Sequence, residues 1–342
     1  MLWHILKFVA KRFLYSVLVL VGLSMLVFVI ARMVPTDVVR ATLGSHASER
    51  AIVDMRTKLH LDDSLPVQYY HWIKGAVRGD FGISLMTKRP VVVDLKEFLP
   101  ATAELALVSL VFSLIVGQVL GVVAARYRNS WLDNVSRMIA YSGTVTPAFI
   151  FGILFMLIFS YWLNIFPTMG RLSSGVSPPP TITGMHILDG LLTGRWHVVG
   201  DALWHILLPA VSLGLSAVAQ ESRVTRASMI ENLSKAYVRT ARANAIPQSR
   251  IMFRYVLKPS LIPTVALMGM DFATTISNAF LVELVFFWPG FSRYGVTAML
   301  EGDLFAISAV VMVLGVMFIV MNLIVDIITS ILDPRISLAE RS

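Results

Sequence analysis

Phe13-Leu-Tyr-Ser-Val-Leu-Val-Leu-Val-Gly-Leu-Ser-Met-Leu-Val-Phe-Val-Ile-Ala31 is a run of nineteen residues without a charge. Wound as an α-helix it reaches about 28 Å, close to the hydrocarbon thickness of a bilayer. Lys7, Lys11 and Arg12 precede it, an arrangement that secretion signals also use. The apolar run nevertheless exceeds the roughly 7–15 residues of a signal core, and no clear small-residue cleavage site follows it. It is therefore read as an uncleaved first span.

The rest of the chain agrees with that reading. Of its 342 residues, 56% are hydrophobic and 15% charged, with a mean hydropathy of +0.73; soluble domains carry about 25% charged residues. Four more segments are long and apolar enough to span: Leu105 to Ala125, Met138 to Leu163, Pro259 to Val282 and Leu304 to Val325. Trp204 to Gln220 is shorter and contains Pro209, which a helix enclosed by others tolerates. The expectation is an all-α integral membrane protein of six transmembrane helices. The absence of Cys excludes disulfides, thiolate metal sites and cysteine nucleophiles.

The formal net charge of +8 is placed by membrane topology, not by nucleic acid. With the N-terminus inside, sixteen of the 29 Lys and Arg residues fall in the N-tail, in 126–137, in 221–258 and in the C-tail. The two later outside loops hold only Arg171, Arg195 and Arg293. Ten more lie in 32–96, a loop long enough to be largely exempt from the charge rule. Both termini are thus expected in the cytoplasm. The division that results is an N-tail 1–12, a first span 13–31, an extracytoplasmic cap region 32–104, a core 105–331 that includes a cytoplasmic loop 221–258, and a C-tail 332–342.

Within the cap, Ser48 to Leu59 and Pro66 to Arg78 read as short helices, the second closing at Gly79. Gly117 and Gly121 permit a close helix crossing and carry no functional information. Residues 164–203 form a second outside excursion, irregular with one short helix. The aromatics of Phe286-Phe-Trp-Pro-Gly-Phe291 suit the water–lipid boundary.

One inner segment is unlike its surroundings. Ser234 reads as an N-cap, Lys235 to Asn244 lacks Pro and Gly, and Pro247 stops the helix. Lys235, Arg239 and Arg242 form a basic face, while Tyr237, Ala241 and Ala245 form a face of mostly small residues. Two uses suit it. A basic face is attracted to anionic headgroups, but a helix lying on lipid needs a broad greasy face, and this one offers Tyr, Thr and Ala. Docking into a protein in water fits better.

Tyr237-Val-Arg-Thr-Ala-Arg-Ala243, with Pro259 and Pro263 ahead of an apolar run, resembles the EAA loop of binding-protein-dependent ABC importer permeases of the peptide and nickel branch. The likeness extends along the chain through Arg32-Met-Val-Pro35, Leu65-Pro-Val-Gln-Tyr69, Gly79-Asp-Phe-Gly82, Leu99-Pro-Ala-Thr-Ala-Glu-Leu105, Leu208-Pro-Ala210, Arg226-Ala-Ser-Met-Ile-Glu231, Trp288-Pro-Gly-Phe291 and Leu332-Asp-Pro-Arg-Ile336. Their order and spacing are similar to the first permease subunit of dipeptide, oligopeptide or nickel importers. Three departures stand out, one of them Asp271 inside the fifth span. Ala245 replaces the loop's usual Gly, and would cost roughly 1 kcal/mol if the turn needs positive φ; Thr36-Asp-Val follows Pro35 where Gly-Asp-Pro is frequent.

The resemblance implies one permease half of a pore in a bacterial inner membrane. Its partners would be a second homologous permease, two ATPase subunits, an external solute-binding protein and the surrounding lipid. It further implies alternating access, with Lys235, Tyr237, Arg239, Thr240, Ala241, Arg242 and Ala245 coupling to the ATPase. The chain has no G-x-x-x-x-G-K-[ST] loop, so ATP and Mg would be used by the partners, and no cofactor or catalytic residue is assigned to this chain. A gradient-driven transporter is the alternative from another class. It needs several intramembrane ionisable groups, and only Asp271 stands clearly inside a span.

Asp271, Thr274, Thr275 and Asn278 draw a polar stripe along the fifth span. Two readings stay open: the stripe lines the translocation path, or Asp271 is hydrogen-bonded at the contact with a second permease. His186, His197 and His205 invite a nickel-site reading, but spacings of eleven and eight match no compact ligand pattern. No metal site is assigned.

Overall fold

In the computed structural model the structure describes residues 2–33, 48–58 and 60–332. The Thr36-Asp-Val segment, Leu59 and the C-tail from Asp333 lie outside them. Helices carry nearly all of what is described. The first is α1 (Leu2–Met33). Two short helices follow, α2 (Glu49–Lys58) and α3 (Leu65–Val77). Then come α4 (Val91–Arg126), α5 (Trp131–Val145) and α6 (Ala148–Phe155), which runs on as a π-helical turn to Trp162. Helix α7 (His186–Leu192) precedes α8 (Trp196–Ser234), α9 (Ala236–Ala243), α10 (Lys258–Val285), α11 (Phe291–Leu300) and α12 (Leu304–Leu332). Among the described residues five helices are long and apolar enough to cross a membrane, and the α5–α6 pair supplies a sixth span if counted as one.

Helix α8 is the axis of the bundle. Two-thirds of its apolar window is buried, against 17% for α1, which lies at the periphery beside α12. The α4–α8 contact is the most extensive in the chain. It is close because Gly117 and Gly121 face α8: a Cβ on Gly121 would stand 2.9 Å from the Ser222 carbonyl oxygen. Arg226 of α8 reaches α5 with a two-pronged grip on the fully buried Asp133, both bonds at 2.8 Å. Such paired, charge-assisted bonds fix angle as well as distance.

Several sequence expectations shift. The second span starts at Val91, not Leu105, so the last fourteen residues of the expected cap region are the outer end of α4. The weak Trp204–Gln220 segment lies inside the longest helix, α8, with Pro209 in its interior. The third span is broken: α5 and α6 meet at 110° across Thr146–Pro147. Proline has no N–H to donate and pushes its predecessor out of helical geometry, and Thr146 is accordingly extended, at φ −94° and ψ 125°.

The expected water–lipid aromatics are also corrected. Phe286, Trp288 and Phe291 are among the largest fully buried side chains, and of the segment's four aromatics only Phe287 is exposed. The Trp288 indole N–H donates to the Ala101 carbonyl at 3.0 Å, and Thr102 Oγ1 accepts from the Phe291 amide at 2.7 Å. The segment therefore plugs the end of the bundle at which α4 begins.

Candidate functional site: a short polar helix and a cavity at the broken span

Helix α8 ends at Ser234, and α9 starts two residues later because Lys235 alone turns extended (φ −70°, ψ 152°). Lys235 is the shared cap; Ser234, the expected N-cap, instead donates its hydroxyl back to the Glu231 carbonyl at 2.7 Å. Val238 and Ala241 are buried against Met229, Ile251, Met252 and Val256. Ala241 therefore does not belong to a partner-facing surface with Tyr237 and Ala245: it glues α9 to its own chain. Of the expected coupling residues, Lys235, Tyr237, Arg239, Thr240, Arg242 and Ala245 are exposed, as are Ala236, Ala243 and Asn244.

Several of these are held in place. Lys235 pairs with Glu231 at 2.9 Å, Arg239 donates to the Ser234 carbonyl at 3.2 Å, and the Tyr237 hydroxyl donates to Asn232 Oδ1 at 2.9 Å. At the far end the Ala245 amide donates to the Arg242 carbonyl at 3.0 Å and the Ile246 amide to the Ala241 carbonyl at 3.1 Å. That is a Schellman closure, whose C′ residue must be left-handed. Ala245 occupies it at φ +53°. The turn does need positive φ, and alanine bears the cost.

The stripe on α10 divides by exposure along one face. Asp271 and Thr275 are buried, while Thr274 and Asn278 are exposed. Asp271 Oδ2 has no hydrogen-bond partner among the described residues, and neither does Oε2 of the fully buried Glu221 on α8. Glu221 Oε1 accepts from Ser113 at 3.2 Å. Asn278 instead borders an opening of about 300 Å³ at the α5–α6 elbow, with Thr144, Thr146 and Ser216.

Buried carboxylates organise the end of the bundle that holds Trp288. Glu283 accepts from the Arg293 amide at 2.7 Å and from the Thr102 hydroxyl. Glu104 holds Arg171 at 2.7 Å and the Ile187 amide at 2.6 Å. Asp189 accepts from the amides of Ile182, Thr183 and Gly184, which ties down the excursion before α7. These contacts outweigh burial and hold its carboxyl below the usual range. Burial, then the nearby Arg171 charge, lowers the His186 pKa to about 4 despite Asp189. His205 Nδ1 pairs with the Asp201 carbonyl at 2.8 Å. Among the described residues no three His, Cys, Asp or Glu side chains are grouped to hold a metal ion.

Comparison with known proteins fits this architecture. Residues 117–338 match the family described as binding-protein-dependent transport system inner membrane component, and residues 5–106 match its N-terminal model. The chain belongs to this family. As a family member it resembles the probable D,D-dipeptide transport system permease protein of Escherichia coli (strain K12), 37% identical over 98% of this chain and 97% of the relative. It is 33% identical to the dipeptide transport system permease protein of Alkalihalophilus pseudofirmus, over 97% of this chain and 99% of the relative. The glutathione transport system permease protein of Escherichia coli (strain K12) is 34% identical over the same shares. The family's chains are multi-pass inner-membrane permeases, which the apolar helices of this member match.

Sequence reasoning missed Glu221 and Glu283 as acids inside long helices, and missed the elbow. The signals were present in Gln220-Glu221 and in Thr146-Pro147 within an apolar run.

Proposed function

We propose that this chain is one permease half of an ATP-driven importer that moves di- or oligopeptides inward by alternating access. A second permease, two ATPase subunits and an external binding protein complete the machine. The observation that carries the reading is α9: a short polar helix, joined to the bundle's central rod by one residue, with Arg239, Thr240 and Arg242 turned outward. The peptide substrates of the named relatives support the substrate class. The inside bias of Lys and Arg supports placing α9 and both termini in the cytoplasm.

The test is reconstitution of the whole complex in vesicles. Arg239→Glu with Arg242→Glu should abolish ATP-driven peptide uptake and substrate-stimulated ATP hydrolysis, while this chain still inserts and melts as the parent does. Undiminished uptake by that variant would overturn the docking role.

A further inference from the structure

A helix that breaks at membrane depth frees the last carbonyls of one half and the first amides of the other. Facing lipid, each such group costs several kcal/mol, so the break is tolerated only against protein or a watery cavity. The α5–α6 elbow meets that condition with the opening of about 300 Å³ beside it, at the small end of ligand-sized pockets. Its polar lining side chains are Thr144, Thr146, Ser216 and Asn278, and no lining residue is charged. Thr144 turns its hydroxyl back to the Ala140 carbonyl at 3.0 Å. Thr146, Ser216 and Asn278 make no side-chain hydrogen bond among the described residues. Three neutral groups with donor and acceptor capacity are thus left unused around one cavity inside the membrane.

We infer that this cavity is a subsite for the uncharged main chain of the transported peptide, its amide C=O and N–H groups pairing with Asn278, Ser216 and Thr146. It rests on the peptide-importer reading above and deepens it. An amide side chain offers one acceptor and two donors, the complement of a peptide group. With no charge in the lining, the subsite reads the backbone that all peptides share and ignores the sign of their side chains. Asp271 is not among the lining residues; it is buried about two turns before Asn278 on the same helix.

The experiment uses the full complex in vesicles, with three peptides of one length carrying net negative, zero and positive charge, each at saturating binding protein. Asn278→Leu should lower uptake of all three by the same factor, on the order of tenfold. Asn278→Asp should raise the cation-to-anion uptake ratio about tenfold over the parent, and Ser216→Asp should move it in the same direction. Dividing by the parent ratio removes any preference of the binding protein. If both aspartate variants transport and the ratio stays at the parent value, the subsite is overturned while peptide import stands. If the parent complex moves none of the three peptides, the importer reading itself is overturned.

Discussion

Ala245 shows how much one side chain can reveal. A left-handed residue closes α9, and alanine there carries the clash between its Cβ and the backbone that glycine lacks. Ala245→Gly should raise stability by about 1 kcal/mol, read as a higher melting temperature of the purified complex with unchanged uptake. His186 makes a second prediction, at the outer surface. Its folded pKa of about 4 lies below the ordinary 6.5, so an opened excursion binds a proton that the closed one refuses. Stability is complete above pH 6.5 and is lost as pH falls from 6.5 towards 4. Protonation would set a second cation beside Arg171, with only Asp189 opposing it. Hydrogen exchange in residues 167–195 should accelerate over that window, and His186→Asn should flatten the dependence.

The elements turn on close approaches. At the elbow, α5 lies so near α8 that a Cβ on Gly143 would stand 2.5 Å from the Leu215 carbonyl oxygen, an unyielding backbone atom. Gly143→Ala should therefore cost about 1–3 kcal/mol by forcing the two helices apart, measured as a lower melting temperature and weakened uptake. The same elements show what could be read from residue order alone. Six spans were legible because apolar length is a one-dimensional property. Their ends are not: Gln220 ends one expected span a residue before Glu221 and Val282 another a residue before Glu283, although the second of these already encloses Asp271. Both acids lie inside helices, Glu221 held by Ser113 of α4 and Glu283 by Thr102 of α4 and the Arg293 amide. Those partners are 108 and 181 positions away for the two side-chain bonds, beyond the reach of any local pattern. Ala241 failed for a related reason: periodicity places residues on faces but does not say which face the chain will cover itself.

At the scale of the molecule, the fold is a bundle around α8 with a plug around Trp288 and a foot at α9. The proposed orientation rests on the basic residues, and the lack of cysteine makes it testable without background labelling. A cysteine introduced at Ala243 should react with an impermeant maleimide only in inside-out vesicles, and one at Asp62 only in intact cells. Labelling of Ala243→Cys from outside would reverse the topology and remove the docking helix from its proposed compartment.

Helix α8 runs for 39 residues without interruption, about 58 Å at the usual rise. A shaft of that length, joined to the foot by a single extended residue, has little slack to absorb a tug. Force applied at Arg239 would be transmitted as tilt, with the pivot where glycines let α4 press against it, and a small swing below becomes a swing of opposite sense above. The plug around Trp288 and the foot would then be obliged to move in antiphase, as the two ends of a rocker do.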